Sequence, residues 1–197
     1  MTASQPFALI QAEHMPAQPW RNGGGQTREL LVWPNAADWQ LRISRADIDS
    51  SGPFSAFAGV QRWFVVLSGK GVVLRMPTAD GHKHHLESGH APLQFEGGLA
   101  PFCQLVDGPT QDLNLMARGG SACMHRVSAE SWLTEHAMCG LYTVHPGVWS
   151  SDPQSLELPA HTLLWLPQGG TCTMQFTPTG AQPLRAWWLG FSPEQHP

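Results

Sequence analysis

Short runs of alternating apolar and polar residues fill this chain, and they constrain its fold more than any other feature. In the first run, Trp39, Leu41 and Ile43 share one face of an extended strand, and polar residues lie between them. Proline and glycine turns separate the runs, and many short strands at such spacing predict an all-β sandwich or barrel. The other runs lie at 63–67, 72–76, 93–95, 102–106, 112–116, 140–144, 162–166, 171–176 and 184–189.

The composition also favours a turn-rich β protein. Charged residues make up 13% of the chain, about half of the ~25% found in an average globular domain. The chain contains 17 prolines, 20 glycines and 9 tryptophans, a balance that suits strands and turns better than helices. The best helical candidate is Ala129–Met138, although its periodicity is weak. Because no proline-rich linker divides the chain, we expect residues 1–197 to form a single compact unit.

Charge and cysteine usage exclude several classes of function. The net charge of −4 leaves no basic surface for nucleic acid or for an anionic membrane. No apolar run approaches the ~20 residues of a membrane helix, and no secretory leader opens the chain, so we expect a cytoplasmic protein. The cysteines, at 103, 123, 139 and 172, form no C-x-x-C pair. This pattern indicates reduced thiols and not a zinc site.

One loop points to a ligand. Between Pro19 and Arg28 the chain carries three consecutive glycines, Gly23, Gly24 and Gly25, flanked by an amide, arginines and a hydroxyl. Such a costly backbone segment is tolerated where the chain bends sharply or approaches something closely, and its amides can form a nest for an anion. The loop lacks the Lys-Ser/Thr ending of a P-loop and the spacing of a dinucleotide fingerprint, so alone it is a weak signal.

The first half of the chain carries motifs of a known family. In order along the sequence these are Trp20–Glu29, Arg42–Ala46, Gly52–Arg62, Leu67–Gly71 and Asp112–Met116. With them the chain resembles the HutD/Ves family of small double-cupin proteins, often encoded beside histidine-utilisation genes. The resemblance implies an all-β bicupin with little helix. We expect residues 1–118 to be the motif-bearing part and residues 119–197 to complete the second barrel.

The resemblance also bears on metal binding. A typical cupin holds a metal with an H-x-H pair, a glutamate and a glycine seven residues after that glutamate. If Gly69 fills the glycine position, Arg62 takes the place of the glutamate, and Ser55 and Phe57 fall near the two histidine positions. Arginine repels a cation, whereas it binds carboxylate or phosphate with two parallel hydrogen bonds. We therefore expect no metal and no cofactor; the alternatives for Arg62 are a surface position or a structural ion pair.

Strand parity gathers a polar set around this arginine. Arg42 and Ser44 share one strand face, and Asp112 and Asn114 share another. The family motifs fall on these positions, which favours an inward-facing binding cavity over the commoner solvent-facing arrangement. Trp20 either forms a wall of the cavity or simply packs in the core. The predicted ligand-binding residues are Trp20, Asn22, Gly23, Gly24, Gly25, Thr27, Arg42, Ser44, Arg62, Asp112 and Asn114.

Three functions compete at this point. The resemblance implies metal-independent binding of a small carboxylate from histidine breakdown, in an accessory or regulatory role. A hydrolase or isomerase acting on such metabolites would use Asp112, with Glu29 behind it, but a carboxylate beside arginines is expected to have a lowered pKa and to be a poor base. The third possibility is an interaction module with a vestigial pocket. A homodimer is also open.

A histidine-rich stretch has the spacing of metal ligands but a different context. His82, His84, His85, Glu87 and His90 lie between Asp-Gly and Ser-Gly turns. We interpret them as an exposed hairpin loop, with a physiological metal site as the less favoured alternative.

Overall fold

Every alternating run of the sequence overlaps a β-strand of the structure, a computed structural model that describes residues 7–194. The prediction of an all-β fold with little helix is therefore confirmed. Within the described chain, the helical segments are two short 3-10 helices, Ala12–His14 and Gly97–Leu99. The strands are β1 (Ala8–Gln11), β2 (Ala17–Pro19), β3 (Gly25–Trp33), β4 (Leu41–Ile48), β5 (Gly52–Pro53), β6 (Gln61–Ser68), β7 (Val72–Arg75), β8 (Lys83–Leu86), β9 (Leu93–Glu96), β10 (Phe102–Leu105), β11 (Thr110–Ala117), β12 (Ser121–Arg126), β13 (Trp132–Thr134), β14 (Met138–Thr143), β15 (Gly147–Ser151), β16 (Gln154–Leu158), β17 (Thr162–Leu166), β18 (Cys172–Pro178) and β19 (Ala186–Ser192).

The strands divide between two compact units. The central unit comprises residues 16–119, and the terminal unit comprises the described residues on either side of it, 7–15 and 120–194. The terminal unit thus includes β1, which pairs antiparallel with β17. The motif-bearing part expected from the sequence, residues 1–118, extends across this division, because motifs alone do not reveal that β1 pairs with β17.

The central unit consists of two antiparallel sheets. The larger has the strand order β2-β3-β4-β11-β6-β9 and the smaller β5-β10-β7-β8. Ala46 and Ile48 of β4 and Val66 of β6 pack in a buried cluster with Leu74 and Cys103 of the smaller sheet. This apolar core occupies only one end of β4 and β6, and the inward positions at the other end of both strands are polar.

The terminal unit has a five-stranded sheet, β1-β17-β14-β19-β12, and a four-stranded sheet, β13-β18-β15-β16. Its interior is apolar. Leu141, Trp149, Met174 and Trp188 belong to one buried cluster, so these tryptophans serve the core.

The best helical candidate of the sequence, Ala129–Met138, contains no helix, so that prediction is wrong. Trp132–Thr134 is instead a strand that pairs with β18, with Trp132 opposite Met174. The Trp132 ring stacks on Trp188, with ring centroids 5.5 Å apart and an interplanar angle of 14°. Sheet pairing and aromatic packing outweigh the weak local preference for helix.

The histidine-rich stretch is only partly a loop. Residues 83–86 form β8, an edge strand paired with β7, while His82, His85 and His90 are exposed. The rings of His82 and His84 lie 4.5 Å apart. Among residues 7–194 no group of three or more potential metal-ligating side chains is placed to hold an ion. The same part of the chain contains no helix long and apolar enough to cross a membrane.

Candidate functional site

A cavity of about 590 Å³ lies in the central unit, against the inward side chains of β4 from Arg42 to Ile48 and those of Arg62 and Phe64 on β6. It brings together most of the residues predicted from the sequence. Ser55 and Phe57, at the expected positions of the cupin histidines, also lie in its wall. The predicted ligand-binding residues that line it are Trp20, Asn22, Thr27, Arg42, Ser44, Arg62 and Asn114.

Strand register explains how the floor of this cavity forms. In one row across the larger sheet, Met116 of β11 pairs with Arg42 of β4 on one side and with Arg62 of β6 on the other. In the next row, Asn114 pairs in the same way with Ser44 and with Phe64. Because side chains alternate across a strand, all of these point to the same side of the sheet.

Arg62 is the most unusual group in the cavity. Its side chain is buried, with 6% of the residue exposed. Its Nε and Nη2 donate hydrogen bonds of 3.0 and 2.7 Å to Oδ1 of Asn114. The guanidinium carbon lies 4.3 Å from the ring centroid of Phe54 and 5.5 Å from that of Phe95. Neither alternative reading of Arg62, a surface position or a structural ion pair, fits these contacts.

The Arg62 charge is thus buried without an ion pair among the described residues. Burial lowers the pKa of Arg62 to about 9, and the neighbouring Arg42 adds to the lowering. The group therefore remains protonated at neutral pH. The charge of Asp112 opposes this lowering, but a buried cation without a direct ion pair is costly. The Nη1 of Arg62 forms no hydrogen bond within residues 7–194.

Arg42 differs from Arg62 in having its own counter-ion. Its Nε lies 3.0 Å from Oε2 of Glu29, and both side chains are partly exposed. The pair has the distance of an ion pair without the geometry of a hydrogen bond. Glu29 is therefore engaged by an arginine and is not placed as a free base.

Asp112 is inward-facing, as parity predicted, but it does not line the cavity. It lies one row deeper than Asn114, paired with Ala46 and Val66, and it is completely buried. Its Oδ2 accepts a 2.8 Å hydrogen bond from Thr110 Oγ1, and its Oδ1 has no partner.

The expected pKa of Asp112 is therefore wrong in direction. The pKa of Asp112 is raised well above its ordinary value, because burial outweighs the hydrogen bond from Thr110 and the charge of Arg62. The position beside arginines predicts a lowered pKa from the sequence alone, since burial is not visible there. Asn114, and not Asp112, holds the guanidinium of Arg62.

The glycine loop shapes the backbone, and its three glycines lie outside the set of lining residues. The amide of Gly23, at a φ of +71°, donates to the carbonyl of Trp20, and the amide of Gly24 donates to Oδ1 of Asn22. A Cβ on Gly25 would collide with the carbonyl oxygen of Asp47. Since the amides of Gly23 and Gly24 already have partners, the structure does not support the anion nest expected from the sequence.

The loop does position side chains at the cavity. Trp20 Nε1 donates a 2.8 Å hydrogen bond to Thr27 Oγ1, which ties the start of the loop to β3. Sequence reasoning missed Phe54 and Phe64 as lining residues. The parity of Phe64 with Arg62 on β6 was the signal that could have identified it.

The comparisons with known proteins agree with one another. The HutD family model matches residues 12–182. Protein Ves of Cronobacter sakazakii is 31% identical over 178 residues, which cover 89% of this chain and 95% of that protein. The uncharacterized 21.2 kDa protein in the hutC 3′ region of Pseudomonas putida is 36% identical over 110 residues, which cover 55% of this chain and 56% of that protein.

Solved structures extend the likeness to the fold. The conserved protein PA5104 from Pseudomonas aeruginosa PAO1 has a TM-score of 0.82 at 28% identity, covering 95% of this chain and 99% of that one. HutD from Pseudomonas fluorescens SBW25, in a formate condition, has a TM-score of 0.81 at 24% identity, covering 96% and 100%. Oxalate decarboxylase from Bacillus subtilis has a TM-score of 0.62 at 9% identity, covering 100% and 80%, a likeness of fold alone. The bicupin prediction is thereby confirmed, and the chain belongs to the HutD/Ves family.

Proposed function

We propose that the central-unit cavity binds a small carboxylate metabolite through Arg62, without a metal, and that the protein is an accessory or regulatory cytoplasmic protein of histidine catabolism. One observation carries the proposal: Arg62 is a buried cation whose hydrogen-bond partner is a neutral amide. A carboxylate at its free N–H groups would give Arg62 a direct ion-pair partner. The family name and the hutC-region relative support the metabolic setting.

The surroundings of Arg62 favour a ligand rich in hydrogen-bond acceptors. The Oδ1 of Asn114 is occupied by Arg62, so its amide nitrogen remains as a donor toward the cavity. Arg42, Ser44 and Thr27 add further donors around the same space. The rings of Phe54 and Phe64 provide apolar walls for the carbon skeleton of the ligand.

An enzymatic role has less support. General acid–base catalysis requires a titratable group within hydrogen-bond reach of the substrate, and none of the lining residues is Asp, Glu, His or Cys. Asp112 is completely buried and does not line the cavity, and Glu29 is paired with Arg42. We therefore favour binding over catalysis as the function of this cavity.

The test is a binding panel of formate, urocanate, formiminoglutamate and N-formylglutamate, measured by thermal shift and by titration calorimetry. Removing one partner of a buried charge pair costs about 2–5 kcal/mol, so Arg62→Ala is expected to weaken binding by about 30-fold or more. Arg75→Ala, which removes an exposed arginine of the same unit, is the matched control and should bind as the wild type does.

Two results would contradict the proposal. One is that the wild type binds none of these acids. The other is that Arg62→Ala, correctly folded by circular dichroism, binds them as tightly as the wild type. Product formation during long incubation would favour the enzyme instead.

A further inference from the structure

We infer that Asp112 serves as the internal counter-charge of Arg62 in the empty cavity, and that binding of a carboxylate to Arg62 is coupled to uptake of a proton by Asp112. The inference rests on the proposed function, because it concerns the same cavity. It adds a role for a residue that touches neither the cavity nor the ligand.

The geometry places the two groups close together without pairing them. Asp112 and Asn114 lie two residues apart on the same face of β11, and the Arg62 guanidinium extends to Asn114. Same-face neighbours on a strand are about 7 Å apart, so the guanidinium and the Asp112 carboxyl interact through the sheet interior. They form no ion pair, and the Oδ1 of Asp112 is a buried oxygen without a hydrogen-bond partner.

The other charged or titratable groups that act on Asp112 do not replace Arg62. From the smaller sheet, Cys103 is a buried thiol whose pKa burial raises to about 12, so it stays neutral. From β4, Asp47 repels a charge on Asp112, but it is already paired with Arg28 at 2.9 Å. On β11 itself, Thr110 donates a hydrogen bond to Asp112 and carries no charge. Arg62 is therefore the one cation among the described residues whose charge favours an ionised Asp112.

The coupling follows from this arrangement. In the empty cavity the Arg62 cation favours an ionised Asp112, whereas burial favours the neutral acid. A carboxylate bound to Arg62 cancels that favourable field and brings a second negative charge near Asp112. Both effects favour the neutral acid, so Asp112 takes a proton from the solvent as the ligand enters. Linkage then requires affinity for the carboxylate to fall as the pH rises through the titration of Asp112.

The experiment is titration calorimetry of the full chain with urocanate and with formate at pH 5.5, 7.0 and 8.5. At each pH the titration is repeated in buffers with different enthalpies of ionisation, since the slope of the binding enthalpy against that enthalpy counts the protons taken up. We expect an uptake between zero and one proton in at least one pH window, and weaker binding on its alkaline side. Asp112→Asn should bind without proton uptake. Asp107→Asn, the same change at an exposed carboxylate of the same unit, should keep it.

The outcomes separate this inference from the proposed function. Binding by the wild type with no uptake at any of the three pH values would overturn the inference and leave the proposed function standing. Uptake that persists in Asp112→Asn, or that disappears in Asp107→Asn as well, would also overturn it. If neither acid binds, the inference and carboxylate binding by this cavity fail together. The buffer series on the wild type needs no variant, so a misfolded Asp112→Asn would not prevent the test.

Discussion

The single amide that holds Arg62 makes a sharp prediction about stability. Asn114 is buried and accepts both hydrogen bonds of the guanidinium through one oxygen. Asn114→Leu keeps the branched shape of the side chain but removes its polar atoms. The buried Arg62 cation then loses its only hydrogen-bonded partner among the described residues. We expect this variant to be substantially less stable than the wild type.

The magnitude follows from the two bonds. A hydrogen bond to a charged group contributes about 1.5–3 kcal/mol, and removing one partner of a buried pair typically costs about 3–5 kcal/mol. Because Arg62 borders the cavity, water can relieve part of this cost, so we expect a loss of about 3 kcal/mol. For a chain of this length, 1 kcal/mol corresponds to about 2–4 °C in Tm, which gives a decrease of roughly 6–12 °C.

Asn114→Asp is the informative counterpart. At about 4 Å and an effective dielectric constant near 20, a carboxylate beside the Arg62 cation gains about 4 kcal/mol. Its own desolvation costs several kcal/mol, so we expect stability within about 1 kcal/mol of the wild type. The built-in carboxylate would, however, occupy the N–H groups of Arg62 and prevent an external acid from binding.

The assay is urea unfolding followed by tryptophan fluorescence, with carboxylate binding measured in parallel. A loss below about 1 kcal/mol in Asn114→Leu would refute the reasoning, because the guanidinium would then not depend on Asn114. Unchanged carboxylate affinity in Asn114→Asp would refute it as well, since an internal anion must compete with the ligand.

Two further predictions concern pH and backbone packing. Burial raises the pKa of Asp112 in the folded protein, so its contribution to stability is fully present below about pH 4 and is lost as the pH rises through the raised value. In urea titrations between pH 4 and pH 9, the wild type should therefore lose stability relative to Asp112→Asn. If the difference in free energy of unfolding between the two proteins did not change with pH, the raised pKa of Asp112 would be contradicted. Gly25→Ala is expected to cost about 1–3 kcal/mol, because the new Cβ meets the carbonyl of Asp47. Gly52→Ala is its control, since a Cβ there meets one side-chain atom at 3.8 Å; equal losses in thermal unfolding would show that crowding at Gly25 is not the cause.

The strands and the inward-facing residues could be predicted because they depend on a local pattern. A period of two requires Arg42 and Ser44 to share a face, whatever lies on the rest of the chain. The same holds for Asp112 and Asn114. Register then placed Arg42, Ser44 and Asn114 over one floor, together with Arg62.

Other features depended on partners far away in the sequence. Asp112 and Asn114 look equivalent by parity, yet Asp112 is completely buried and outside the cavity lining, whereas Asn114 lines the cavity. The pKa of Asp112 was expected in the wrong direction for the same reason, since burial is not visible in a strand pattern. Residues 129–138 look weakly helical in the sequence alone. The strand that forms there depends on pairing with β18, about forty residues further along the chain, which the local sequence does not show.

By itself, the sequence determined an all-β chain, a set of polar inward positions and an arginine where cupins place a metal ligand. These are properties of alternation, composition and motif order, which act over a few residues. The tertiary structure decided that Arg62 rests on Asn114 and between aromatic rings, that the glycines serve a turn, and that β1 belongs to the terminal unit. Those outcomes depend on which distant strands pair and on how far the core extends along them. Hydrogen bonding between strands sets the pairing, and burial between the sheets sets the extent of the core. Both arise from contacts between distant segments, so no single segment encodes them.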